Sequence, residues 1–477
     1  MRVLIFHGYM LRGTGSNIYN ANLAPALARL GHEVHLLCQD REVEIPGVEI
    51  HNPDIGGLLP VYVKDPYPGF EVKAFEELSE AELDNYLAAN VAAVRAVAEE
   101  AGGIDAALAN HLVMGPAILA RAGVAPFAAK IHGSALEYTV KPHPRFRSYA
   151  EEGMNAANGV LVGSHHTAAS LWAALPEVTD LKKKTRLGPP GVDTERFRPG
   201  DPGGGGASST FSPPPPVAGQ HHPSKKLSAA PTRIPGLVVF VGKLIVSKGV
   251  DLLLAAWPLV HLDHPKARLQ IAGFGEYEEA LRRLLAALDR GDLDDACEVA
   301  RLGRGLEGGE AKPLKILSAF LDDPPPGYAE AAGAAAGSVE LIGRLEHDEV
   351  AALLPQAEAL VMPSTFPEAF GMVAAEAAAC GVLPVSAGHS GMLEVSRQLA
   401  ESLPEEVAPL VSFPVEAGAV EALAARLNAW LALPEPRRQQ ARRALVETVG
   451  KLWGWEAVAR GVLAAAAGEL DELPVPS

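Results

Sequence analysis

The sequence predicts an α/β protein built from two doubly wound parallel sheets, and three observations carry that expectation. Apolar runs of strand length alternate with stretches of helical periodicity in the first half of the chain. The same alternation returns more clearly in the second half, and a stretch with almost nothing to bury separates the two. At 477 residues the chain is too long for one ordinary core and suits two domains. A hydrophobic share of 48% against 21% charged residues is the balance of a folded protein. The formal net charge of -17 repels phosphate backbones and anionic lipid surfaces, which argues against nucleic-acid binding and favours a small-molecule ligand. Cys38, Cys297 and Cys380 lie far apart without metal-like spacing and fit a reducing compartment. The apolar run 3–6 is far shorter than a signal peptide needs, and no transmembrane-length stretch follows. The expectation is a cytoplasmic protein, at most peripheral to the inner membrane face.

In chain order, Val3 to Phe6 reads as a strand, followed by a polar loop. A helix then follows, capped by Ser16, with Leu23, Leu27 and Leu30 at helical spacing and Gly31 closing it. Pro25 inside that helix implies a kink. Val34 to Cys38 is the second strand, and the repeated βαβ pattern gives the first parallel sheet. Between 200 and 236, GGGG at 203–206 and PPPP at 213–216 mark a linker. Strands expected near 237–241, 268–272, 339–342, 359–362 and 382–385 form the second sheet. The interval 291–337, rich in Gly, Ala, Pro and acids, is longer than a usual connection and is expected as a surface insertion. Helical patterns continue to about residue 470. The expected domains are 1–199, a linker at 200–236, a second domain at 237–452, and a last helix at 453–477.

In open parallel sheets ligands sit beyond the carboxyl ends of the strands. The strand 237–241 exits into Gly242-Lys243 and then Ser247-Lys248-Gly249 ahead of a helix. A helix N-terminus disfavours lysine, so Lys248 there points to a bound anion such as a diphosphate. The strand 359–362 exits into a loop holding Glu368, and Glu376 is the single charge of the alanine-rich helix that follows. A buried carboxylate needs a partner, and sugar hydroxyls are good ones. A third exit, Gly388-His389-Ser390-Gly391, has glycines that permit close backbone approach. In the first half, the strand Phe127 to Ile131 ends in His132-Gly133-Ser134, which places an imidazole at a strand exit.

Together these segments resemble the family 4 glycosyltransferases, over nearly the whole chain outside the linker and the 291–337 interval. The most specific part is PEAFGMVAAEAAACGVLPV, which looks like that family's donor-site signature. The resemblance implies the GT-B fold, with two Rossmann-like domains facing a central cleft and the Trp455 helix crossing back to the first. It also implies a retaining enzyme that moves a hexosyl group from a nucleoside-diphosphate sugar, UDP-sugar before GDP-sugar, to a hydroxyl acceptor. Same-face attack assisted by the leaving diphosphate needs no protein nucleophile, metal or cofactor. By the same resemblance Glu368 contacts the transferred sugar, Glu376 the ribose, and the backbone near Phe370, Gly371 and Met372 the sugar. Lys243 and Lys248 match the two basic diphosphate positions. The first is usually Arg, so Lys243 keeps the charge and loses bidentate geometry. Gly13-Thr14-Gly15 looks like the N-terminal glycine loop, and His132 matches the family's histidine. Ile342-Gly343-Arg344 resembles the nucleobase-binding stretch, Gly273 joins the donor-binding set, and Gly191-Val192-Asp193 ahead of Phe197 looks like the family's hinge.

The residues leave other readings open. A dinucleotide-dependent oxidoreductase is suggested by Gly13-x-Gly15 and Asp40, although Ile18 replaces the third glycine and the loop is too long. A nucleotide-sugar epimerase or a sugar-nucleotide binding protein would share the fold. Asp292-Leu293-Asp294 is of the D-x-D type but lies at the end of an acidic helix and reads as chance. The acceptor is not named by the sequence. The cations and aromatics from Tyr138 to Arg147 suit a phosphorylated or lipid-linked acceptor, and suit a solvated loop equally well.

Overall fold

The computed structural model describes residues 1–13, 15–64, 67–200 and 233–476. It divides into two compact units, Met1–Gly191 with Trp453–Ser477, and Val192–Leu452. Apart from residue 200 and residues 233–236, the stretch expected as a linker lies outside the described residues, as does Thr14 of the glycine loop.

Among the described residues the first unit carries nine strands: β1 Arg2–Phe6, β2 Glu33–Leu37, β3 Val48–His51, β4 Leu58–Val61, β5 Glu71–Ala74, β6 Ala106–Asn110, β7 Phe127–Ile131, β8 Gly159–Val162 and β9 Thr185–Leu187. Seven form a parallel sheet in the order β3-β2-β1-β6-β7-β8-β9, while β4 and β5 pair separately. The central strands are buried on both faces, which is why they read as unbroken apolar runs. One face packs Leu4, Leu37 and Ala109 against the helices of residues 80–156. The other packs Val3, Val34 and Leu36 against the helices Gly15–Arg29 and Trp455–Ala467.

The helix Gly15–Arg29 begins one residue before the serine expected to cap it. Ser16 is therefore already in the first turn, where its helical backbone rules out the extended conformation an N-cap adopts. Pro25 stands on the half-exposed side of that helix, where the carbonyl it leaves unpaired can meet water.

The helix Trp455–Ala467 belongs to this unit and fits it through small residues. A Cβ on Gly159 would come 2.5 Å from the Ala465 carbonyl oxygen, and one on Gly191 would come 2.6 Å from the Trp455 ring. Arg186 Nε donates to the Leu470 carbonyl at 2.8 Å, and the Leu187 amide donates to the Pro474 carbonyl at 2.7 Å.

The second unit has six strands among its described residues: β10 Leu237–Val241, β11 Arg268–Ala272, β12 Val339–Gly343, β13 Ala359–Met362, β14 Leu383–Ala387 and β15 Ser412–Phe413. They form one parallel sheet in the order β12-β11-β10-β13-β14-β15. The interval 291–337, expected as a surface insertion, carries the helices Leu293–Leu302, Lys315–Asp322 and Tyr328–Ala334. They bury Leu317, Phe320 and Tyr328, and the Tyr328 hydroxyl donates to the Ala255 carbonyl at 2.7 Å. Among the described residues no helix is long and apolar enough to cross a membrane.

In both sheets the strand order reverses beside the first strand, between β1 and β6 and between β10 and β13. These are the switch points where a crevice opens at the carboxyl ends of the strands.

Candidate functional site

In the second unit the exits of β10, β13 and β14 are laced together. The turn Val246–Lys248 ends on Gly249, at a φ of 65°. A Cβ there would lie 2.1 Å from the Pro363 carbonyl oxygen, so only glycine allows this approach. The Thr365 amide donates to the Ser247 carbonyl at 2.9 Å. The resulting geometry brings the Lys248 ammonium onto the Glu368 carboxylate, with the two side chains 25% and 23% exposed. Ser364 Oγ donates to the same carboxylate oxygen at 2.8 Å.

From β14, Ser390 Oγ accepts the Glu368 amide at 2.9 Å, and the Gly391 amide donates to the Glu368 carbonyl at 2.9 Å. His389 Nε2 donates to the Ser364 carbonyl at 2.8 Å, which leaves its Nδ1 to accept the Ser390 hydroxyl at 3.1 Å. Ser390 itself sits at a φ of 52°, a strained position for a non-glycine residue, held by these bonds. Replacing Gly249 with alanine is expected to destabilise the unit by about 3 kcal/mol or more, from backbone strain plus overpacking, read as a lower urea midpoint.

The helix Met372–Ala379 starts behind Gly371, which has no side chain to cap it, so its first amides can meet an anion. Glu376 in this helix is 6% exposed. The sequence suggested a carboxylate without a protein partner, and here the structure corrects the reading. His347 Nε2 lies 3.0 Å from Glu376 Oε1, and Arg196 Nη1 lies 2.9 Å from His347 Nδ1. A guanidinium can only donate, so Nδ1 accepts and Nε2 carries the proton toward Glu376. Phe197 packs on the same imidazole with ring centres 4.8 Å apart. The hinge-like segment thus orients Glu376 through a histidine that the sequence did not single out.

The remaining donor-site candidates occupy the neighbouring exits. The Gly273 amide donates to the Gly343 carbonyl at 2.8 Å, and a Cβ on Gly273 would lie 2.0 Å from the Gly242 carbonyl oxygen. Ile342 and Gly343 close β12, Phe370 is buried, and Lys243 and Met372 are half-buried. Arg344 lies over the Phe274 ring at 4.9 Å and pairs with Glu346 at 3.0 Å, which commits its side chain. The interval 291–337 reaches this loop too, where Glu307 accepts the Val246 amide at 2.8 Å. Close by, burial raises the Asp251 carboxyl to about 7. The D-x-D tripeptide is occupied otherwise, since Asp292 caps its helix by accepting the Asp295 amide at 3.1 Å.

In the first unit, His132 and Gly15 belong to a separate polar array at the β1/β6 switch point. His132 Nε2 meets Asn110 Oδ1 at 2.8 Å, and Asn110 Nδ2 donates to Asn20 Oδ1 at 2.8 Å. Asn20 Nδ2 meets His7 Nδ1 at 3.0 Å, and His7 Nε2 meets Asn17 Oδ1 at 2.9 Å. With the amides in these orientations both histidines carry their proton on Nε2, and His132 keeps a lone pair on Nδ1. Gly15 opens the helix that supplies Asn17 and Asn20.

His111, at a φ of 67°, stacks on His7 at 5.8 Å between ring centres and packs on His132 at 4.9 Å. Burial holds His7 down to about 4 and drives His111 and His132 well below the usual imidazole range, so all three are neutral at pH 7. Lys130, also buried, is lowered to about 7 and lies 5.3 Å from the Tyr19 ring centre.

One further reading meets a physical obstacle. Asp40 is almost fully buried and bound by Arg12 at 3.1 Å, so it serves the 7–13 loop and has no exposed face for a ribose. In the basic segment, Lys141 pairs with Glu137 at 2.6 Å, and Arg145 donates to the carbonyls of Phe75 at 2.7 Å and Leu78 at 2.9 Å.

Residues 13–196 match the family described as Glycosyltransferase Family 4, and residues 329–445 match Glycosyl transferases group 1. D-inositol 3-phosphate glycosyltransferase of Frankia alni is 28% identical over 94% of this chain and 93% of that protein. A GDP-mannose-dependent monoacylated alpha-(1-6)-phosphatidylinositol monomannoside mannosyltransferase of Corynebacterium glutamicum is 29% identical over 56% of this chain and 52% of that protein. Among solved structures, sucrose-phosphate synthase from Thermosynechococcus elongatus superposes with a TM-score of 0.60 at 19% identity, covering 97% of each chain. Anabaena HepE in complex with UDP and glucose superposes at 0.56 and 15% identity, covering 98% of this chain and 100% of that one.

Proposed function

This chain belongs to the family 4 glycosyltransferases of the GT-B fold, and from that premise we propose that it moves a hexosyl group from a nucleoside-diphosphate sugar to a hydroxyl acceptor with retention of configuration. The observation that carries the proposal is the meeting of Lys248 and Glu368 at the β10/β13 switch point, in the loop that leads to the uncapped helix Met372–Ala379.

Without donor, the ammonium and the carboxylate neutralise each other. On donor binding the diphosphate takes Lys248, and the sugar hydroxyls take the Glu368 carboxylate, so one exchange seats both ends of the donor. Charge develops on the diphosphate as the glycosidic bond breaks, and Lys243, Lys248 and the free amides at 372–373 stabilise it where a metal ion would otherwise be required. Glu376, oriented by His347, receives the ribose hydroxyls. Attack from the same face, assisted by the departing diphosphate, requires neither a protein nucleophile nor a cofactor. In the first unit His132 offers Nδ1 to the acceptor hydroxyl, its proton held on Nε2 by Asn110.

The names of the relatives favour a phosphorylated or lipid-linked acceptor. A lipid-linked acceptor would draw an otherwise cytoplasmic protein to the inner membrane face. For the donor, a UDP-sugar is preferred and a GDP-sugar comes second.

Thermal unfolding with UDP, GDP, ADP and NAD in parallel tests the donor site. One nucleoside diphosphate is expected to stabilise the protein by about 2.7 kcal/mol at a hundredfold excess over its dissociation constant. Glu376→Ala should abolish the shift, and His347→Gln should weaken it. A shift with NAD alone would overturn the reading.

A further inference from the structure

At the β3 edge of the first sheet, four chemically active side chains share one face. The register sets His35 opposite Glu49 and Leu37 opposite His51. Strand alternation puts Glu33 and His35 of β2 on the same side as Glu49 and His51 of β3. His35 Nδ1 lies 3.1 Å from His51 Nε2 and 3.4 Å from Glu49 Oε2, and His51 Nε2 lies 3.8 Å from Glu49 Oε1. Ligand atoms bound tetrahedrally at zinc distances of about 2.0–2.1 Å stand about 3.3 Å apart. These separations bracket that value; the two to Glu49 run to different carboxylate oxygens, and its side chain, 59% exposed, is able to turn so that one oxygen faces both nitrogens.

The outer nitrogen of His35 strengthens the case. Its Nε2 lies 3.2 Å from Glu33 Oε1, which places the proton on Nε2 and the lone pair on Nδ1. A carboxylate behind the imidazole is the arrangement that orients metal-bound histidines. A hydrogen bond from His51 to His35 would satisfy the two rings alone. It would also leave the Nδ1 lone pair and the Glu49 carboxylate facing each other at 3.4 Å without a proton between them. A cation removes that conflict.

We propose that His35 Nδ1, His51 Nε2 and the Glu49 carboxylate bind a divalent d-block cation of the zinc class, with Glu33 as the outer partner of His35. His35 is 4% exposed and anchors the site, while Glu49 leaves its outer side open to solvent for a fourth ligand. The ion ties the edge strand β3 to β2. None of these residues takes part in the donor or acceptor chemistry proposed above, so the two readings stand or fall separately.

The test is titration of the full-length, metal-stripped protein with zinc chloride by calorimetry, and with cobalt(II) by visible absorption. The wild type is expected to bind one equivalent and to give the intense d–d bands of a tetrahedral cobalt site. His51→Gln should lose both signals, and Glu33→Gln should weaken affinity by about 10–100-fold. Glu49→Gln, at an exposed position, should weaken binding while circular dichroism stays unchanged, which separates ligand loss from misfolding. Absence of saturable binding in the wild type would overturn the proposal. So would a stoichiometry, affinity and cobalt spectrum unaltered in His51→Gln and Glu49→Gln, since the metal would then sit on other histidines.

Discussion

Replacing Lys248 with alanine is expected to lower kcat/KM by about 10²–10³, or roughly 2.7–4 kcal/mol of transition-state stabilisation, the usual cost of removing one group aimed at developing charge. Two features of the site argue for the upper end. Gly249 and its contact with Pro363 hold Lys248 at its position, so little rearrangement is needed to bring the ammonium to a phosphate. Its loss also leaves the Glu368 carboxylate without its cation, next to the proposed diphosphate position, so the variant adds a repulsion as well as losing an attraction. A double-mutant cycle separates the two effects. Lys248→Ala with Glu368→Gln should lose less than the two single variants combined, because the repulsion is gone. Steady-state kinetics with the donor identified by thermal shift, on protein of unchanged circular dichroism, make the measurement. Activity within about threefold of wild type would remove Lys248 from the proposed machinery, since a positioned charge is worth far more.

The two units should respond to acid in opposite directions. His7 has a folded-state value of about 4 against 6.5 in the unfolded chain, so the folded form binds fewer protons between these values. Its stability contribution is present above pH 6.5 and is lost as the pH falls through 4, an effect of about 3 kcal/mol at roughly 1.4 kcal/mol per unit. His111 and His132, shifted the same way, add to it. Asp251 in the second unit is raised from 3.8 to about 7, so its contribution is present below pH 3.8 and lost as the pH rises through 7. Lys130, lowered from 10.5 to about 7, makes the first unit gain stability again between pH 7 and 10.5. Native-state hydrogen exchange at pH 7 and pH 5, corrected for the intrinsic rate, should show amides of β1, β6 and β7 losing protection at pH 5 while those of the helix Val250–Asp263 keep theirs. Protection lost first in the second unit would contradict this assignment.

Much of the architecture is legible in the sequence because central parallel strands are buried on both faces. LVVFV and FAAKI can hardly be anything else, and both form strands at the expected residues. The short helices of 291–337 were hidden for the opposite reason. At seven to ten residues each, they are too brief for a helical period to emerge. Glu368 and Glu376 stand out because a loop and one helix carry both. Their pairings do not: Lys248 and Ser390 are visible at their own strand exits but reach Glu368 only through the fold, while His347, which no pattern marks, reaches Glu376 from another exit and Arg196 reaches His347 from the hinge-like segment. The array joining His132 to His7 draws one or two residues from each of four elements, and no spacing in the chain announces it. His35 and His51 become neighbours only through the register of β2 and β3.

The helix Trp455–Ala467 has a practical consequence for dissecting the molecule. A fragment ending at Gly191 would leave Leu23, Leu27 and Leu161 without the layer that covers them, and would expose the Gly159 and Gly191 surfaces shaped to receive that helix. Such a fragment should aggregate when produced alone. Supplying residues 453–477 on a short tether, or as a separate peptide, should restore a soluble first unit, because what that unit lacks lies at the far end of the polypeptide.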